Sequence, residues 1–214
     1  MTTQFTEFIE EAHRLKSAYA SRITLLVGLE TEYISGLDLQ RLESTLTTFG
    51  DQVEFLVGSI HHVNGIPIDF DEPTYERALA SCSAENEGNA QEAFLSAYFE
   101  AQYELLQRFK PEIIGHFDLC RLFCPSLRFR DRPLVWEKIE RNIRYAVDYG
   151  ALFEVNAAAF RKNWNTAYPG QDVIEVRGSL RCASILITHI VRPSWVQVVG
   201  LHYRMIATDL VMLA

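Results

Sequence analysis

Cysteine is scarce in this 214-residue chain, which carries only Cys82, Cys120, Cys124 and Cys182. Four are too few for a disulfide scaffold at this length. Cys120 and Cys124 would share one face of a helix. Two thiolates alone leave a zinc tetrahedron incomplete, so they read as small buried residues. No apolar run approaches the roughly 20 residues that a membrane span requires. Basic residues are in deficit, 20 Lys and Arg against 28 Asp and Glu, for a formal charge of −8. That balance disfavours nucleic acid as a partner, while leaving room for a local pocket that binds one small anion. Repeats, low-complexity tracts and proline-rich linkers are all missing. The opening segment Met1–Glu11 is acidic and amphipathic, unlike a signal or transit peptide, so the expected address is the cytoplasm.

What is present suits one globular domain, with 48% hydrophobic residues to fill a core. Phe5, Phe8, Ile9, Ala12, Leu15 and Tyr19 recur at helical spacing and predict an opening amphipathic helix. Ile23–Val27 is a continuous apolar run that predicts a strand buried on both faces. Leu37, Leu39, Leu42 and Leu46 predict a helix with Asp38 as its N-cap. Further strands are expected at Val53–Val57, Glu112–Ile114 and Ala151–Val155. Helices are expected at about 89–109 and at 133–149, the second closed by Gly150. The stretch Cys82–Asn89 reads as a surface loop. Alternation of this kind predicts an α/β fold with a parallel sheet, either an open layer or a closed barrel.

The residues capable of chemistry fall just after these strands. Glu30 and Glu32 follow the first, His61 and His62 the second, His116 and Asp118 the third, and Asn156 the fourth. In parallel α/β folds that edge is where ligands bind. Taken singly, each has a plainer reading. Glu30 could be an ion-pair partner or a cap, His61 or His62 a structural hydrogen bonder, and His116 a satisfied core histidine. Arg161-Lys162 could be a solvated basic pair. Taken together, carboxylate and imidazole suit zinc, manganese or iron, which serve hydrolysis of phosphate esters. Arg161 and Lys162 would supply the positive charge for a phosphoryl group. On the residues alone the reaction stays open.

Four segments carry a family resemblance: Gly28–Tyr33, Val57–Phe70, Ile114–Leu119 and Phe153–Lys162. They resemble the histidinol-phosphate phosphatases of the PHP (polymerase and histidinol phosphatase) superfamily, and the block around His61 is similar to the fungal branch. Ala97–Tyr103 and Tyr168-Pro169 are similar as well. The resemblance implies a distorted (β/α)7 barrel, a TIM-like PHP fold. It implies hydrolysis of L-histidinol phosphate in L-histidine biosynthesis by a multinuclear cluster of divalent ions. By motif match, Glu30, His61 and His116 would be metal ligands, and Arg161 with Lys162 would contact the substrate phosphate. His62, Asn64 and Asp118 lie in matching segments without an assigned role.

The likeness runs over about residues 5–175 and resumes at 199–205, leaving 176–198 unmatched. The family's opening His-x-His strand and its late Asp-x-His loop have no counterpart, and His189 lacks the neighbours to stand in for the latter. The expectation is therefore a single incomplete PHP domain over 1–214, missing its first strands and left with an open sheet edge. A misread exon or frame in the gene would account for the unmatched stretch. Two functions compete on this basis. One is a metal-dependent histidinol-phosphatase, and the other is an inactive PHP fragment that binds metal weakly or serves as an interaction module. The PHP module of bacterial DNA polymerases is a poor match, because it sits within much longer chains.

Overall fold

The computed structural model describes residues 3–82, 90–156, 158–161, 164–179 and 185–188. Helix α1 (Thr3–Tyr19) leads into strand β1 (Gly28–Glu30), and α2 (Gly36–Phe49) into β2 (Phe55–Gly58). A small hairpin follows, β3 (His62–Val63) and β4 (Ile66–Pro67), then α3 (Glu72–Ser81) and α4 (Ala90–Phe109). Next come β5 (Ile113–Ile114), α5 (Pro133–Tyr149), β6 (Leu152–Asn156), α6 (Ala158–Arg161), α7 (Gln171–Ser179) and β7 (Ile185–Thr188).

The main sheet is parallel throughout, in the order β1-β2-β5-β6-β7. Each new strand joins the same side, without the reversal that marks a doubly wound sheet. Steady winding of this kind is how a (β/α) barrel grows, and the two faces of the sheet fit it. Ile114 and Phe153 enter the large core beneath α3, α4 and α5, whereas Val57, Ile113 and Leu152 join a smaller cluster with Phe55 and Leu26. A third cluster packs Ile9 and Ala12 of α1 on Val27, Phe49 and Val53.

Several expectations need correcting. The apolar run Ile23–Val27 is the approach to β1 and not a strand. The Val27 amide is taken by the Glu54 carboxylate at 2.9 Å, and the ladder begins one residue later with Gly28 opposite Phe55. Nor is the run buried on both faces: Leu25 and Val27 are buried while Thr24 is exposed. Ser35, not Asp38, is the N-cap of α2. Asp38 sits three residues on, where its Oδ2 accepts from the Ser35 N–H at 2.9 Å and the Ser35 hydroxyl at 2.8 Å. Helix α5 matches its predicted span, and Gly150 closes it in the left-handed region at φ 91°. Cys82 and Cys120 are buried and Cys124 is half-buried. The predicted loop after Cys82, the stretch around His189 and the Val199–Met205 segment lie outside the described residues, apart from β7.

Candidate metal centre

Because the strands run parallel, their carboxyl ends share one edge. Glu30 ends β1, His61 lies three residues past β2, and His116 lies two past β5. The ladder continues beyond the strands into these loops, with Thr31 N–H donating to the Val57 carbonyl at 2.8 Å and Gly115 N–H to that of Gly58 at 3.1 Å. A side chain at Gly115 would overlap the Ser59 hydroxyl, so this close approach is what lets the β5 loop lie against the β2 loop.

Thr31, almost wholly buried, fastens the two loops together. Its hydroxyl accepts from the Ser59 N–H at 2.9 Å and donates to the Ser59 carbonyl at 3.2 Å. Thr31→Val keeps the shape and strands both backbone groups. A loss of about 1–3 kcal/mol is expected in urea denaturation, the usual cost of an unsatisfied buried polar group.

His61 is held from the other side by the hairpin. Ile68 N–H donates to its carbonyl at 2.9 Å, and Asn64 and Gly65 turn the chain at φ 51° and 74°. Successive positive φ values are the mark of a tight hairpin turn. His116 is fixed by its own amide, which donates to Glu154 Oε2 at 2.8 Å. Phe117 then plunges into the core, where its carbonyl accepts from Gln102 Nε2 at 3.0 Å and the Tyr98 hydroxyl at 3.3 Å. Asn142 of α5 completes this chain by donating to Gln102 Oε1 at 3.0 Å. Two helices thus hold the loop that carries His116.

The result is a triangle of potential ligand atoms. Glu30 Oε1 lies 3.5 Å from His61 Nε2 and 3.4 Å from His116 Nε2, and the two ring nitrogens are 3.1 Å apart. Ligand atoms on a tetrahedral zinc bonded at about 2.0–2.1 Å stand about 3.3 Å from one another. The three side chains therefore fit one divalent ion without rearrangement. Two imidazoles meeting at Nε2, with a carboxylate at the apex, are also the donor types that zinc, manganese and iron accept.

The electrostatics agree. The neighbouring His116 ring, against the opposing effect of burial, holds the Glu30 carboxyl down at about 2. For His61, burial pulls the pKa down, but the Glu32 contact and the charges of Glu30 and Glu32 outweigh it and raise it above 6.5. A raised value in the fold means stabilisation that is complete below the unfolded pKa and fades as pH climbs through the folded one. Melting of the metal-free chain should therefore lose a component as pH climbs past about 6.5 and through the raised folded value. His61→Ala should flatten that component. A bound ion requires neutral imidazole, so added zinc should stabilise increasingly over the same interval.

Other rim residues are structural. Asp118 is fully buried and pairs with Arg121, while its Oδ2 also accepts from Gly170 N–H at 2.8 Å. Asn156 donates to Glu154 Oε1 at 3.1 Å and accepts the Ala158 amide at 2.8 Å, so it starts α6. Asn64 serves the hairpin turn. Arg161 closes α6, but its side chain and all of Lys162 lie outside the described residues. Sequence reasoning gave no role to two contributors. Glu154 is a carboxylate in a buried strand, with no motif to flag it. Glu32 was placed at the rim beside Glu30 without a role of its own, and it reaches both His61 and His62.

A parallel sheet that gathers a carboxylate and two imidazoles into an ion-sized triangle at its carboxyl edge defines an α/β domain with a candidate metal site. The PHP domain profile matches residues 2–158, and the chain belongs to that family. It is 46% identical over 175 residues to a Schizosaccharomyces pombe protein named as a histidinol-phosphatase, covering 80% of this chain and 55% of that one. It is 30% identical over 197 residues to the Saccharomyces cerevisiae histidinol-phosphatase, covering 80% of this chain and 57% of the relative. The chain thus spans just over half the length of these two curated relatives. A Listeria monocytogenes crystal structure, described as a histidinol phosphatase, superposes with a TM-score of 0.69 at 22% identity. That match covers 87% of this chain and 70% of the other, and it bears on the fold.

Proposed function

We propose that the chain is a single incomplete PHP domain over 1–214 that hydrolyses a phosphate monoester, L-histidinol phosphate, to L-histidinol and phosphate. The observation that carries this reading is the Glu30–His61–His116 triangle with its 3.1–3.5 Å edges. A divalent ion held there supplies Lewis acidity toward a phosphoryl oxygen and acidifies water at neutral pH. Glu30 contributes the negative charge, and His61 and His116 contribute neutral nitrogen donors. The names of the two fungal relatives support histidinol phosphate as the substrate.

Arg161 and Lys162 are the residues we assign to the phosphate, since Arg161 closes the helix that follows β6 and Lys162 is next in sequence. Removing a charge-assisted contact costs about 1.5–3 kcal/mol. Arg161→Ala is therefore expected to raise KM roughly tenfold to a hundredfold in phosphate-release kinetics. The free thiols of Cys82, Cys120 and Cys124 suit a reducing compartment and support a cytoplasmic address. Among the described residues no helix is long and apolar enough to cross a membrane.

The test is phosphate release from L-histidinol phosphate by the purified chain with manganese or zinc added. Release that Glu30→Ala and His61→Ala abolish is the expected result. A folded, metal-loaded chain that releases no phosphate would overturn the reading and leave a PHP segment that only binds metal.

A further inference from the structure

We infer that Glu32 is a positioning residue for the metal centre, holding His61 with its Nε2 lone pair turned into the ligand triangle. The inference rests on the metal reading above and deepens it. An imidazole has two nitrogens, and a neutral ring carries its proton on one and its lone pair on the other. His61 Nε2 is the atom that faces His116 Nε2 at 3.1 Å and Glu30 Oε1 at 3.5 Å. Its other nitrogen, Nδ1, is buried and faces Glu32 Oε2 at 3.4 Å. A lone pair on Nδ1 would point at a carboxylate, which is repulsive, whereas a proton there is attracted. Glu30 pulls in the same way at Nε2 from 3.5 Å until an ion takes that lone pair; Glu32 then holds the remaining proton on Nδ1, the arrangement in which Nε2 ligates.

Glu32 is half-exposed, so something must keep it from turning out into water. Its second oxygen, Oε1, receives the His62 ring at Nδ1, 2.8 Å away. His62 is itself mostly covered, with a side-chain exposure of 14%. The adjacent pair His61-His62 therefore shares one carboxylate, one ring as client and the other as anchor. Backbone geometry places the carboxylates to match. Glu30, the last residue of β1, and Glu32 stand two residues apart and bracket the His61 ring, one at each nitrogen. Thr31 between them is tied to the Ser59 backbone, which fixes the segment on the loop that carries His61.

Zinc titration of the full chain by calorimetry, with nitrogen NMR of the histidine rings in the zinc-loaded protein, tests this. Glu32→Ala is expected to weaken zinc binding about 10–100-fold, the usual effect of losing an outer-shell partner. It is also expected to shift the Nδ1–H resonance of the zinc-bound His61 ring, whose proton loses its carboxylate. Glu32→Gln keeps an acceptor of the same size, so it should preserve the fold and much of the Nδ1–H signal while recovering part of the affinity. The distant ion-pair residue Glu100→Gln should bind zinc like the wild type. Unchanged affinity in Glu32→Ala, or weaker binding with an unchanged His61 Nδ1–H resonance, would overturn the inference alone. A wild-type chain that takes up no zinc would overturn the metal reading and this inference with it.

Discussion

Replacing Arg121 by alanine is expected to cost about 3–5 kcal/mol of folding stability, the penalty for removing one partner of a buried ion pair. Arg121 is 4% exposed and Asp118 is fully buried. The guanidinium pairs with Asp118, meets Asp172 Oδ1 at 2.8 Å, and donates to the Leu127 carbonyl at 3.2 Å. It also lies over the Phe129 ring at 4.5 Å. Without it, the Asp118 carboxylate is left in the interior with the Gly170 amide as its remaining recorded partner. At about 2–4 °C per kcal/mol for a domain of this size, the melting temperature should fall by roughly 6–20 °C. Asp118→Asn drops the charge and retains a group for Gly170, so its loss should be smaller. A melting temperature within about 2 °C of wild type for Arg121→Ala would show that the pair is not the buried anchor described here.

The largest functional effect is expected from Glu30→Gln. This substitution keeps the size of the side chain and removes the only carboxylate in the triangle. Losing an outer-shell partner costs a metal site roughly 10–100-fold, and losing a ligand should cost more. Zinc affinity and metal-dependent phosphate release should therefore both drop by more than about 100-fold, while the melting profile of the metal-free protein stays cooperative. The comparison with Thr31→Val separates ligation from positioning. That variant should be less stable yet keep all three ligands, so its zinc affinity should suffer less than that of Glu30→Gln.

Much of this arrangement was legible in the sequence, because it rests on signals that are local. Helix α5 announced itself by Pro133 at its start, a stripe of Val135, Ile139 and Ile143, and Gly150 at its end. The candidate ligands were legible because three strands deliver them to one edge, and parallel pairing makes that edge common. The strand before Glu30 was misplaced because an apolar run marks burial and does not reveal which amides enter the ladder. Glu54 captures the Val27 amide, and no local pattern shows that.

The hairpin after His61 carried a readable signal in Asn64-Gly65 that went unused, as did Asp71 and Pro73 at the start of α3. Asp71 accepts the Thr74 amide at 2.7 Å, an ordinary N-cap. The roles of Asp118 and Glu154 were beyond reach, since each depends on partners far along the chain. Asp118 meets Gly170 and, through Arg121, Asp172, while Glu154 receives the amide of His116. Side chains whose meaning is set by long-range packing cannot be told from ordinary acidic residues in a linear reading.

The most direct test of the central claim is X-ray absorption at the zinc edge on the zinc-loaded full chain. Glu30, His61 and His116 predict a first shell of nitrogen and oxygen at about 2.0–2.1 Å, with the outer scattering of two imidazole rings. That ring scattering should fall to one imidazole in His116→Ala. A first shell without imidazole scattering, or one left unchanged by His116→Ala, would contradict the account, because the ion would then be held somewhere other than the edge where these strands converge.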